Sequence, residues 1–210
     1  MTDPAPAVFD RRSPTRGDQR RANLLRALHE LLQSRTFEQI NIADITSAAG
    51  VSRSGFYFYF TDKAAAVAAL AADMHSETIA ATNLMFVRSA SPRERIAGSI
   101  RATFASWEQH QQVFAAILAA RQHNPEVREV WDAARTALVA PVAEMIDTDR
   151  AAGLAPDGPD SVTLATVLLE LNERSLEQLG VGTGPGVAER IDTLIEVWSR
   201  SIYSNTTQEK

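Results

Sequence analysis

The stretch from Asn41 to Lys63, NIADITSAAGVSRSGFYFYFTDK, leaves this chain few folds to choose from. Ile42, Ile45 and Ala49 recur at i, i+3 and i+7, which sets them on one inward stripe of a short helix with Asn41 suited to cap it. Gly50 then stops that helix. A residue just past a helix end usually takes positive φ, which glycine accepts without a Cβ clash, and Val51 is the apolar plug of the corner. Ser52 is the natural N-cap of a second helix, in which Phe56 and Phe60 are i, i+4 partners that face the first. Arg53, Ser54, Gly55, Tyr57 and Tyr59 are left on other faces, and Phe58 lies opposite Phe56 by helical phase, outside the core unless the helix has already ended. The pattern predicts a helix-turn-helix.

The outward residues suit a DNA groove. A helix N-terminus favours phosphate, Arg53 has the reach for guanine O6/N7 or a phosphate, and Gly55 permits close backbone approach. The hydroxyls of Tyr57 and Tyr59 and the Lys63 ammonium suit phosphates, which fix register while base-edge contacts choose sequence. For Phe58, contact with a thymine methyl is one explanation. The alternative is a surface helical hairpin whose aromatics only pack; the aromatic run after a capped glycine turn favours the DNA reading.

At these residues the chain resembles the TetR family of one-component bacterial transcription regulators. The family pattern is Gly-Val-Ser, three variable residues, an apolar residue, Tyr, any residue, His or Tyr, Phe, and a Lys just past the next helix start. It is matched by Gly50, Val51, Ser52, Phe56, Tyr57, Tyr59, Phe60 and Lys63. The resemblance implies that Arg53, Ser54 and Gly55 read bases, that Tyr57 and Phe58 lie against the groove, and that Tyr59 and Lys63 hold phosphates; Asn41 and Ser52 complete the expected DNA-binding set. It also implies an all-α fold of about nine helices, an N-terminal three-helix helix-turn-helix domain followed by a larger helical ligand-binding and dimerisation domain.

Composition agrees. With no Cys among 210 residues there is no disulfide framework, thiolate zinc site or cysteine nucleophile. The longest strictly apolar run, Ala64 to Ala72, is far short of a bilayer span, and no signal segment opens the chain, so a cytoplasmic protein with no membrane partner is expected. The net charge of −5 looks wrong for a DNA binder until it is divided along the chain. Arg11 to Lys63 carries nine Lys and Arg against five Asp and Glu, whereas residues 64 to 210 carry twelve against nineteen. A basic head on an acidic body presents one end to phosphate.

Residues 1–16, with Pro4, Pro6 and Pro14, are expected to be a disordered arm whose Arg11, Arg12 and Arg16 either follow DNA or are incidental charge. The head is placed at 17–63, the ligand-binding and dimerisation domain at 64–204 and a short tail at 205–210. Leu24, Leu25, Leu28, Leu31 and Leu32 stripe a first helix over the hairpin. A long Ala-rich helix starts after Asp62 and is expected to run toward Ser89. Helices follow over Arg93 to about Gln109, Gln111 to Gln122, Pro125 to near Gly153 with Pro141 expected to kink it, Asp160 to about Leu179, and a last one carrying Ile191, Leu194, Ile195, Trp198 and Ile202. The last two have surplus apolar faces, enough for a four-helix homodimer interface.

Phe104, Trp107, Phe114, Trp131 and Trp198 are spread over the helices that would enclose an apolar effector, and Asn172 interrupts an otherwise apolar helix. Aromatics at helical spacing also describe an ordinary core, and a bond from Asn172 to a neighbouring helix is the alternative role for its amide. The segment from Leu171 to Leu176, the ending from Asp192 to Tyr203 and the FYFYF run resemble the ethionamide-resistance repressor type within the family. That resemblance implies a hydrophobic tunnel with Asn172 as hydrogen-bonding residue, Trp107, Phe114, Trp131 and Trp198 on or near its wall and Leu138 and Leu169 at positions of that wall; Phe104 and Met145 complete the expected ligand-binding set. Leu169 departs from an Asn of that type, and Leu138 and Pro141 from aromatics, so a different ligand is expected.

No enzyme is expected: His29, His75, His110 and His123 are dispersed, no Glu-x-x-His pair occurs, and Gly180 to Gly186 lacks the Lys of a phosphate loop and reads as a linker. No cofactor is implied. Glu170 and Arg174 form an i, i+4 pair suited to helix stabilisation or a dimer contact. The sequence thus points to a ligand-responsive regulator that binds palindromic operator DNA as a dimer and is released by a small hydrophobic effector, with a helical carrier of apolar molecules as the alternative.

Overall fold

Local signals set most helix boundaries. The computed structural model describes residues 16–87, 89–182 and 184–204; the expected basic arm with Arg11 and Arg12 and the tail 205–210 lie outside the described residues. Among the described residues the chain is all-α: α1 (Arg16–Leu32), α2 (Ile42–Ala49), α3 (Arg53–Tyr59), α4 (Lys63–Asn83), α5 (Pro92–Gln109), α6 (Gln111–His123), α7 (Pro125–Ala151), α8 (Ser161–Val181) and α9 (Val187–Tyr203). Asn41, Ser52, Asp62, Ser91, Asn124 and Asp160 each accept a backbone N–H at the start of the following helix, and Pro92 and Pro125 occupy first-turn positions where no N–H is missed.

Two apolar clusters share the molecule. One joins Leu24, Leu28, Ile45 and Phe56 of the first three helices and Phe60 just past α3 to Val67 and Leu70 of α4 and then to Val113, Ile117 and Ala120 of α6 and Val127 of α7. The core of the head therefore continues past Lys63 into the body, because the short helices α2 and α3 cannot bury their apolar faces against one another alone. The other cluster gathers Ile96, Ile100 and Phe104 of α5, Val142 and Ile146 of α7, Leu168 of α8 and Ile195, Trp198 and Ile202 of α9. Trp131 of α7 packs against both clusters.

One expectation is corrected. The Ala-rich helix does not run toward Ser89; α4 ends at Asn83 and tightens into a 3-10 turn, Leu84–Phe86. The cause is tertiary. Met85 drops into the body core, and its carbonyl accepts Nη1 of buried Arg95 at 3.2 Å. Arg95 Nη2 also meets Asp149 at 2.6 Å, and the Tyr203 hydroxyl donates to the same carboxylate oxygen at 2.6 Å, tying α5, α7 and α9 together. As expected, α7 is one helix from Pro125 to Ala151 with Pro141 inside it, where the proline removes a single ladder N–H. Arg174, expected opposite Glu170, bonds Glu177 at 3.0 Å.

Candidate nucleic-acid interface and ligand cavity

The corner between α2 and α3 is built from main-chain accounting. Gly50 takes φ +63°, and the N–H groups of Gly50 and Val51 close on the carbonyls of Ser47 and Thr46, so the orphan carbonyls of α2 are satisfied within the turn. At the other end of α2, Asn41 Oδ1 accepts from Asp44 N at 3.0 Å while Asp44 accepts from Asn41 N at 2.9 Å, a reciprocal cap. Asn41 is thereby given a role internal to the head.

Ser52 Oγ accepts from Gly55 N at 3.1 Å and lies 3.1 Å from Ser54 Oγ. With Phe56 fully buried and Phe60 nearly so, α3 has one orientation; Arg53, Ser54, Tyr57 and Phe58 face out, while Tyr59 packs partly against the core. Tyr57 is 47% exposed and Phe58 is 81% exposed. Arg53 lies 5.8 Å over the Tyr57 ring, and Tyr59, half-buried, packs edge-on to Phe58 at 4.9 Å. Arg53, Ser54, Tyr57 and Phe58 thus share one exposed surface.

Two residues of the expected set carry an internal duty that the sequence did not reveal. A Cβ on Gly55 would stand 2.7 Å from Val51 Cγ1, so the small residue is needed for α3 to close on its own turn. Lys63 donates from Nζ to the carbonyls of Phe37 and of Ile40 (2.6 Å to the latter) and sits 4.0 Å over the Phe37 ring. Its ammonium holds the loop between α1 and α2. Burial lowers its pKa from the usual lysine value, with Glu38 and Asp44 pulling the other way.

In the body a cavity of about 480 Å³ opens between α4, α5, α6, α7 and α8. Trp107, Phe114, Trp131, Leu138, Leu169 and Asn172 of the expected set line it. Phe104, Met145 and Trp198 do not: they stand behind the wall in the packed core. Trp198 is fully buried and donates its indole N–H to Asn172 Oδ1 at 3.0 Å, so Asn172 both lines the cavity and bonds a neighbouring helix. Because an indole only donates, the amide oxygen is fixed toward Trp198, and Nδ2 is the group left to Asn172.

Sequence reasoning missed Arg135 and Glu173, which line the cavity and also a charged surface cleft of about 590 Å³ on α6, α7 and α8. Glu173 Oε1 accepts from Trp131 Nε1 at 2.5 Å and from Arg121 Nη1 at 3.0 Å, and Oε2 accepts from Arg135 Nη1 at 3.0 Å. Arg121 Nη2 also donates to Glu177, and its guanidinium lies 5.7 Å over the Trp131 ring. Burial pushes the Glu173 pKa up, but these donors and the nearby Arg135 charge outweigh it and leave the carboxyl below its ordinary value. The only sequence signal was polar residues next to Asn172 on an apolar helix; partners on other helices have no local spacing.

Among the described residues no group of three or more metal-ligating side chains occurs, and no helix is long and apolar enough to cross a membrane.

Comparison with known proteins agrees with this geometry. Residues 24–70 match the family of bacterial regulatory proteins of the tetR type, and residues 96–204 match the C-terminal domain of the transcriptional regulator EthR. The chain is 34% identical over 195 residues to the HTH-type transcriptional regulator EthR of Mycobacterium tuberculosis, covering 89% of this chain and 88% of that protein. To the regulator of the same name in Mycolicibacterium smegmatis it is 32% identical over 190 residues, with the same coverages. Among solved structures, a TetR-family regulator from Rhodococcus sp. superposes with a TM-score of 0.71 at 18% identity, over 88% of this chain and 99% of that one. A transcriptional regulator from Saccharomonospora viridis in complex with choline superposes with a TM-score of 0.68 at 20% identity, over 87% and 96%. A helix-turn-helix head of the expected build, a helical body around a cavity and matches that cover both halves together establish that the chain belongs to the TetR family of transcriptional regulators, with a C-terminal domain of the EthR type.

Proposed function

We propose that the protein is a cytoplasmic, ligand-responsive transcriptional repressor, not an enzyme, that binds palindromic operator DNA as a homodimer and is released by a small hydrophobic effector. The observation that carries this is the outer surface of α3. A phenylalanine 81% exposed beside an arginine and a tyrosine at the tip of a rigidly capped helix has no use in the isolated fold. Against a major groove, Arg53 and Ser54 meet base edges, Phe58 meets a thymine methyl, and Tyr57 and Tyr59 meet phosphates. Lys63 contributes chiefly by fixing the loop beneath α3, with its remaining N–H available to a phosphate.

Dimerisation is assigned to α8 and α9. Val162, Val167 and Leu171 stand exposed on α8, and two copies of such a face bury one another in a four-helix interface. The effector occupies the cavity, with an acceptor oxygen toward Asn172 Nδ2 and its apolar part against Trp107, Phe114, Trp131 and Leu169. Release requires that the guest bind better when the heads are out of DNA register.

A mobility-shift assay on the intergenic DNA beside the gene tests the DNA half of this proposal. Binding is expected to weaken steeply with salt, and Tyr57→Ala is expected to reduce affinity by about tenfold, some 1.4 kcal/mol, with unchanged helicity by circular dichroism. Salt-insensitive or absent binding with a filled cavity would instead make the protein a carrier of apolar molecules.

A further inference from the structure

We propose that Arg121 is the positioning residue that couples the cavity to the DNA-binding head, an inference that rests on the effector reading above. Three observations converge on it. Its guanidinium bridges two carboxylates one turn apart on α8, donating to Glu173 at 3.0 Å and to Glu177, so it fastens α6 to α8. Glu173 forms part of the cavity wall and also holds the indole of Trp131, the cavity residue that packs against both apolar clusters. Arg121 itself follows directly on Ala120, which with Val113, Ala116 and Ile117 belongs to the core of the head.

The path from guest to groove is short. A molecule that displaces Trp131 or Glu173 alters the acceptor geometry at the guanidinium, and a bidentate arginine transmits displacement because both of its bonds are directional. The far end of α6 meets the start of α7, where Asn124 Nδ2 comes within 3.5 Å of Asp62. Asp62 caps α4 through Ala65 N at 2.8 Å and lies three residues beyond the end of α3. Movement of the α6–α7 corner is thereby delivered to the joint on which the recognition helix is mounted. Arg121 lines neither the cavity nor the surface of α3, and Glu173 keeps Trp131 and Arg135 as donors without it, so its removal acts chiefly on the link between the two sites.

The test uses the full-length protein, the intergenic DNA beside its gene, and methyl dodecanoate as probe, an apolar chain with one acceptor group for Asn172. Ala134→Phe, which pushes a ring into the cavity from α7, is a second way to fill it. In the wild type, probe or Ala134→Phe is expected to weaken DNA binding by at least about tenfold. In Arg121→Gln that loss is expected to shrink to about twofold, while the probe and the DNA, each measured alone, bind within about threefold of wild type. Arg121→Lys, which reaches one carboxylate at a time, is expected to lie between. Should Arg121→Gln fail to fold, Glu177→Ala removes one arm of the bridge and is expected to lower the coupling as Arg121→Lys does. Full wild-type coupling in these variants overturns the role of Arg121 and leaves the effector reading standing. If neither probe nor Ala134→Phe alters DNA affinity in the wild type, the effector reading falls and this inference with it.

Discussion

Lys63 shows how one side chain can satisfy a family pattern for a reason other than the one the pattern suggests. Its position after α3 resembles a phosphate contact, yet its ammonium is engaged by the carbonyls of Phe37 and Ile40 and by the Phe37 ring. Two charge-assisted bonds in a half-buried site contribute roughly 1–2 kcal/mol. Lys63→Ala is therefore expected to lower the melting temperature of the DNA-free protein by about 3–6 °C, measured by circular dichroism. A lysine serving only DNA would leave that temperature unchanged. Gly55 is a similar case, since Val51 Cγ1 at 2.7 Å from its missing Cβ explains the glycine without any DNA. Residue types were legible in the sequence where the constraint is local, as at Asn41, Gly50 and Ser52. They were not where the partner lies some twenty positions away, as it does for Lys63.

Between elements, the contacts that matter most join α7 and α8. Glu173 is 14% exposed at its side chain, holds three donors and has its pKa depressed, so the folded state gives up its negative charge less readily than the unfolded chain. The sign follows from linkage. The unfolded carboxyl takes up a proton first, near the ordinary value of about 4.3, so the stability conferred by the network is full above that pH and drains away as pH falls through and below it. Glu94, Asp160 and Glu196 are shifted in the same direction, so acid destabilisation of the wild type alone does not isolate the network. The difference from Glu173→Gln does. Thermal melts are expected to place the variant about 2 kcal/mol, or 4–8 °C, below wild type at pH 7, with the gap closing toward pH 3. A gap independent of pH would show that the charge of Glu173 is not what holds the two helices. Helix starts were readable here because caps and first-turn prolines are local signals. The end of α4 was not, since it is set by Arg95 reaching the Met85 carbonyl from another helix. The Arg121 and Arg135 bonds to Glu173 were hidden for the same reason.

Across the whole molecule, charge and packing work in one direction. The described part of the basic segment that ends at Lys63 lies in the head, whose core runs without a break into α4 and α6, so head and body share one apolar cluster. The overall architecture was legible because amphipathic stripes and the glycine corner are periodic signals. The outline of the cavity was only half legible: Trp107 and Phe104 are both large and apolar on α5, and only the tertiary fold decides that one lines the cavity while the other fills the core. In the proposed dimer, two half-sites would be met by two heads held at a fixed separation, which the exposed α8 face would supply by pairing with its copy.

A nuclease footprint on the intergenic DNA beside the gene, run with wild type and with Val167→Asp, tests that geometry most directly. Wild type is expected to protect two inverted half-sites on one face of the duplex, with centres one helical turn of about 34 Å or a multiple of it apart, and Val167→Asp to lose protection of both together. No protection by wild type, or an undiminished footprint from Val167→Asp, would contradict a head-and-dimer reader of DNA.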